Sequence, residues 1–181
     1  VQSRYLNHPA LTLGYRLEAD GVVIVYACDH EPFSRQPSTG KIEIGEQDRR
    51  HADFLRGADL VIHDAQYTAT EYAEKVGWGH SPVEYAVEIC HAAKVKQLAL
   101  THHDPTRDDD SIDQMVSSMR TKLKLANQSL HVFAAAEGET IELEPGTGRG
   151  APHGAKECSA VPPMMSAMSE CLIFLGATDA Q

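Results

Sequence analysis

The sequence lacks any run of about 18 apolar residues, the length a membrane-spanning helix requires, so no bilayer span is expected. It also lacks a signal-peptide pattern and an initiator methionine: the chain opens Val1-Gln2-Ser3-Arg4 and reads as starting partway through a longer protein. Basic residues are scarce. The 16 Lys and Arg against 26 Asp and Glu leave a formal charge of −10, with a pI near 5.4. A general basic surface is thereby excluded, although a local basic patch is not, and nucleic acid is not the expected partner. Cysteine is sparse too. Cys28, Cys90, Cys158 and Cys171 form no Cys-x-x-Cys pair and no tight framework, so they read as reduced thiols, and a cytoplasmic location is expected. What the chain does have is histidine, ten in 181 residues, and 42% hydrophobic residues, enough for one globular domain with a tail.

Hydrophobic periodicity sets out the elements. Leu11, Leu13, Tyr15 and Leu17 alternate with polar residues as in a half-buried strand. Asp20-Gly21 is a hairpin signal, and the apolar run Val22–Ala27 returns as the second strand. A long loop follows to Gly45, then a polar-faced helix over Glu46–Arg56 and a short buried strand over Ala58–His63. Thr68–Lys75 reads as one or two helical turns. Ser81-Pro82-Val83-Glu84 has the order of a helix start, with Ser81 as the N-cap. Val95–Thr101 predicts another strand, Ser111–Ala126 an amphipathic helix, and Leu130–Ala135 with Thr140–Leu143 a closing hairpin. The Gly-rich stretch after Glu144 places a boundary near Pro145. Residues 1–145 form the folded part, and 146–181 a linker and unassigned tail.

Four short polar clusters stand where these strands run out or a helix begins. They are Cys28-Asp29-His30, His63-Asp64, Gly79-His80-Ser81 and Thr101-His102-His103-Asp104. Ligands of α/β sheets gather at the carboxyl ends of strands, so these clusters look like parts of one metal-dependent hydrolytic site. A carboxylate such as Asp29 can bind or bridge a divalent cation; equally, it can make a turn before Pro32. His102 has the chemistry of a zinc or manganese ligand, or of an ordinary loop histidine. His80 sits at a helix start, which lowers an imidazole's pKa. An adjacent carboxylate, for which Asp64 is the candidate, would restore it and make His80 a general acid. His51 and His91 fall in helix-like segments and are expected to be exposed.

Taken together, these residues resemble a family. Tyr26-Ala27-Cys28-Asp29 is similar to the Tyr-Ser-Gly-Asp element of the metallo-β-lactamase superfamily, ribonuclease Z branch. His63-Asp64-Ala65-Gln66 resembles its His-Glu-Ala-Thr loop, Gly79-His80-Ser81 its Gly-His-Ser/Thr element, and Leu100-Thr101-His102 its Leu-Thr-His. The variants Trp78-Gly79-His80-Ser81 and His102-His103-Asp104-Pro105 look closest to bacterial hydrolases related to phosphoribosyl cyclic phosphodiesterases. Order and spacing agree over residues 8–143.

The resemblance implies an α/β fold, an αββα sandwich with two divalent metal ions, zinc or alternatively manganese, between its sheets. By that mapping Asp29 is the bridging carboxylate, His102 a metal ligand and His80 the acid oriented by Asp64. His8 and His103 are substrate-side candidates. The family's His-x-His-x-Asp-His run is absent, and His30, His51, His91, His131 and His153 are too scattered to replace it. The chain is therefore expected to be the C-terminal half of a hydrolase domain, binding metal weakly by itself. Its inner sheet face, around Val22, Ile24, Leu60, Ile62, Leu98 and Leu100, is expected to be uncovered. The expected partner is a small-molecule or nucleotide phosphodiester, with a homodimer as a further possibility. The competing readings are a non-catalytic sensor or interaction module and a tRNA 3′-processing nuclease; acidic charge weighs against the latter.

Overall fold

The computed structural model describes residues 1–34 and 44–144; the tail from 146, with Cys158, Cys171 and His153, lies outside the described residues. Six strands form one sheet in chain order: β1 (Gln2–Tyr5), β2 (Leu13–Ala19), β3 (Val22–Ala27), β4 (Leu60–Asp64), β5 (Gln97–Thr101) and β6 (His131–Ala134). The first three are antiparallel and the last four pair in parallel. Asp20 and Gly21 join β2 to β3 with φ of 49° and 78°, the left-handed pair that a two-residue hairpin turn needs. Parallel pairing requires long crossovers. Three of these are built on helices α1 (Glu46–Leu55), α3 (Val83–Ala92) and α4 (Asp109–Leu125), while the short α2 (Ala69–Tyr72) lies between β4 and α3.

The helices share one face of the sheet. Val23, Val25, Ala27, Val61, Leu98, Leu100 and Val132 pack there with Leu55, Val83, Ile89, Met115 and Val116, among others. Each Val, Leu, Ile or Met among them contributes about 1.5–3 kcal/mol when fully buried. On the other face Val22, Ile24, Leu60, Ile62 and Ala99 form a second cluster, with Phe133, Ile141 and Leu143 packed against it. Among the described residues the protein is thus one mixed sheet with one helix layer, the α/β class expected.

Several expectations are corrected. Leu98 and Leu100 belong to the helix side, because the parallel register sets Val61 beside Leu98 and Ile62 beside Ala99. Val22, Ile24, Leu60 and Ile62 do share the opposite face, but they are buried. Among the described residues that face exposes large apolar side chains toward its β1–β3 end, at Tyr5, Leu13, Tyr15, Leu17 and Tyr26. In β2 the apolar side is therefore the exposed one. Gly14 and Arg16 point to the helix layer, where Arg16 donates to the carbonyls of Phe54 and Arg56 at the end of α1. β1 was missed because its sequence, Gln-Ser-Arg-Tyr, is polar. The turn at Glu137-Gly138 forms, with Gly138 at φ 78°, but residues 141–144 are irregular, and among the described residues no closing hairpin strand follows β6. Pro82, not Ser81, caps α3. The Ser81 hydroxyl donates instead to the His30 carbonyl at 2.5 Å, and Glu84 accepts from the Ala69 amide.

Candidate active site

The parallel strands deliver three of the four clusters to one edge. Asp64 ends β4, Asp29 lies just past β3 and His102 directly follows β5. Asp29 and His102 both have left-handed backbones, φ 57° and 56°. Few non-glycine residues adopt that conformation, and it is found at sites where function fixes the chain. His80 arrives by a different route. The 65–82 segment doubles back so that Tyr67 bridges Pro82, with the Val83 amide donating to the Tyr67 carbonyl at 2.8 Å.

Asp64 is the anchor. Its carboxylate is fully buried, a costly place for a charge unless hydrogen bonds surround it. Oδ1 accepts from the Ser81 amide at 3.0 Å and the Gln66 amide at 3.2 Å, and Oδ2 lies 2.7 Å from His80 Nδ1. His102 Nδ1 is 3.0 Å from Asp29 Oδ1 and 3.7 Å from Asp64 Oδ2, and the His80 and His102 rings meet edge to face at 4.7 Å. Burial by itself would lower the pKa of His80. The hydrogen bond and charge of Asp64, aided by Asp29 and Glu31, outweigh it and raise the group above the ordinary imidazole value. The ring is poised to carry a proton.

Asp29, Asp64, His80 and His102 each offer a ligand atom within 4.8 Å of the others. Carboxylate oxygen and imidazole nitrogen suit zinc or manganese. Asp64 and His80 are held to each other at 2.7 Å, whereas Asp29 and His102, 3.0 Å apart, are the more exposed pair and the one a cation could reach. Their side chains are 38% and 39% exposed. A protein zinc site takes three or four such ligands, more than these two supply. Cys28 does not add to it: burial pushes its thiol up to about 12, and it stays protonated in the second apolar cluster.

Of the two substrate-side candidates, His8 stands beside His80, the two rings 5.6 Å apart in an edge-to-face contact. His103 instead turns both ring nitrogens away from solvent, and burial lowers its pKa.

His51 is the clearest correction: it is buried, not exposed, and forms a cluster with His30 and His63. These three also come within 4.8 Å of one another, yet five of their six ring nitrogens have hydrogen-bond partners given by the fold. His63 Nδ1 donates to the Asp64 carbonyl at 2.8 Å, which leaves its Nε2 to accept from His51 Nε2 at 3.2 Å. His30 Nδ1 accepts from the Asn7 amide, and its Nε2 meets the Tyr85 hydroxyl. His30 and His51 stack at 3.8 Å and 17°, so their lone pairs run parallel and cannot converge on one ion. Burial depresses the pKa of all three, leaving a neutral hydrogen-bonded cluster. The signal was present in the sequence: Asp48, His51, Ala52 and Leu55 recur at helical spacing and form the buried face of α1.

Comparison with known proteins adds ancestry. A family model described as "Beta-lactamase superfamily domain" matches residues 2–103. Ribonuclease Z of Anoxybacillus flavithermus is 29% identical over 106 residues, covering 56% of this chain and 33% of the relative. Ribonuclease Z of Saccharolobus solfataricus is 41% identical over 59 residues, 33% of this chain and 20% of the relative. The chain spans about a third of the length of the first of these. Among solved structures, the metallo-beta-lactamase fold protein YhfI of Bacillus subtilis aligns with a TM-score of 0.45 at 17% identity, over 72% of this chain and 45% of that one. Human tRNase Z, short form, gives 0.42 at 21%, over 57% and 35%.

Proposed function

The chain belongs to the metallo-β-lactamase superfamily, and from that membership we propose that it supplies the acid side of a metal-dependent phosphodiesterase site. The observation that carries this is the buried Asp64 held 2.7 Å from His80, beside a partly exposed Asp29–His102 pair, 3.0 Å apart, that a cation could enter. Asp29 and His102 would hold the metal with further ligands from outside the described residues. Such an ion polarises a phosphoryl oxygen and lowers the pKa of bound water. The chain's own residues do the rest. His80, charged through Nδ1–H to Asp64, presents Nε2–H to the departing oxygen. As water adds to phosphorus and the P–O ester bond breaks, that proton passes to the leaving alcohol, and the imidazole regains one from the attacking water. The Ser81 and Gln66 amides keep Asp64 from rotating. His8 lines the approach to His80 in this reading, whereas His103 serves the packing of its loop.

Relatives named ribonuclease Z make RNA a second substrate class, more than the net charge of −10 suggested. A non-catalytic module is the weaker reading, since nothing in folding alone needs a raised-pKa histidine beside an open Asp–His pair. The test is hydrolysis of a phosphodiester, a carboxylate ester and a short RNA by the protein carrying this chain, with zinc or manganese and after chelation. Chelator-sensitive cleavage of phosphodiester bonds alone is expected. Metal-independent or ester-selective activity would overturn the proposal.

A further inference from the structure

We propose that Glu31 is a positioning residue for the proton donor: its carboxylate clamps the turn that carries His80 to the loop that carries Asp29. The proposal rests on the phosphodiesterase reading above, but its geometry stands on separate observations. Glu31 is 2% exposed. A buried carboxylate is tolerated only when its lone pairs are filled, and here three neutral donors fill them. Oε1 accepts from the Tyr72 hydroxyl at 2.8 Å and the Gly77 amide at 2.5 Å, and Oε2 accepts from the Gly79 amide at 3.1 Å.

Gly77 and Gly79 have φ of 92° and 96°, which other residues rarely adopt, and that conformation turns both amides toward the carboxylate. A side chain at Gly79 could not be fitted in any case, because a Cβ there would lie 2.2 Å from the His8 ring. The other end of the clamp is equally fixed. The Glu31 amide donates to the Asn7 carbonyl at 2.8 Å, the Asn7 side chain returns to the Glu31 carbonyl at 2.9 Å, and Ser81 grips the His30 carbonyl. Glu31 thus joins three loops: its carboxylate ties its own loop, that of Asp29, to the turn of His80, and its backbone ties it to the loop of His8. Asp64 orients the His80 ring, and Glu31 fixes the backbone one residue before it. Both are needed if Nε2 is to reach a leaving oxygen, because a displacement near 1 Å costs about 10²-fold in rate.

Glu31→Gln keeps the shape but offers one acceptor and an NH2 that opposes the glycine amides. Turnover of an unactivated alkyl phosphodiester should fall about 10- to 100-fold, with KM and metal content unchanged. A nitrophenyl diester, whose leaving group needs little protonation, should keep its rate within about threefold. By NMR, the Nδ1 proton shared by His80 and Asp64 should exchange with water at least about tenfold faster in the variant, while the Val25 and Val61 amides stay protected. Equal losses on both substrates, or an unchanged Nδ1 proton, would overturn the proposal. Should the wild type cleave neither diester, the phosphodiesterase reading fails and the NMR comparison decides the role of Glu31 by itself. If Glu31→Gln does not fold, Tyr72→Phe, which removes one of three donors, should show the same leaving-group selectivity at reduced size. No selectivity there would equally overturn it.

Discussion

Replacing Asp64 by Asn removes one charge and leaves almost everything else in place. The Asn side-chain oxygen can still accept from the Ser81 and Gln66 amides, but its NH2 now faces His80 Nδ1 across the 2.7 Å contact. A hydrogen bond to a charged group is worth about 1.5–3 kcal/mol, and 1.36 kcal/mol corresponds to one pKa unit. The pKa of His80, raised in the native site, should therefore drop. The sign is clear. The acid is competent below its pKa, so the high-pH limb of the rate profile moves to lower pH. At neutral pH turnover of an alkyl phosphodiester falls about 10- to 100-fold, and the deficit shrinks on acidification. His80→Ala should cost more, about 10²–10⁴-fold, with no recovery at low pH. Rates of both variants across pH, with an alkyl and a nitrophenyl diester, check this. An Asp64→Asn profile shifted upward, or a loss exceeding that of His80→Ala, would refute the reasoning.

Two further outcomes follow from the packing. His30, His51 and His63 are neutral and buried with lowered pKa values, so the unfolded chain binds more protons than the native one once pH falls below about 6.5; urea midpoints should decline from there downward, less steeply in His51→Phe, and a flat profile would contradict the assignment. The exposed apolar surface of Tyr5, Leu13, Tyr15 and Leu17 should drive self-association of the isolated chain, and Leu13→Thr with Leu17→Thr should weaken it by light scattering; a concentration-independent monomer would show that the face is harmless.

Much of the fold was legible because apolar runs, Asp20-Gly21 and the helical faces each carry a local signal. The motif residues were legible for the same reason, since a polar cluster directly after an apolar strand marks its carboxyl end. What stayed hidden depends on register and on contacts distant in sequence. Whether Leu98 or Ala99 faces the helices is set by which residue pairs with Val61, and no local pattern states that. β2 alternates as read, yet its apolar side faces solvent because Arg16 is held at the end of α1. His51 was misjudged because a polar residue on a helix suggests solvent, whereas here it reaches His63, twelve positions away. Glu31 had no signal at all: its partners lie 41 to 48 positions downstream, at Tyr72, Gly77 and Gly79.

The central claim is a division of labour, with Asp29 and His102 binding metal and His80 with Asp64 moving the proton. Metal content of the purified protein carrying this chain tests it most directly, compared among wild type, His102→Ala and His80→Ala after equal dialysis. The account predicts that His102→Ala loses bound zinc or manganese together with activity, while His80→Ala keeps the wild-type complement and loses turnover only. Metal lost from His80→Ala, or retained in full by His102→Ala, would contradict it.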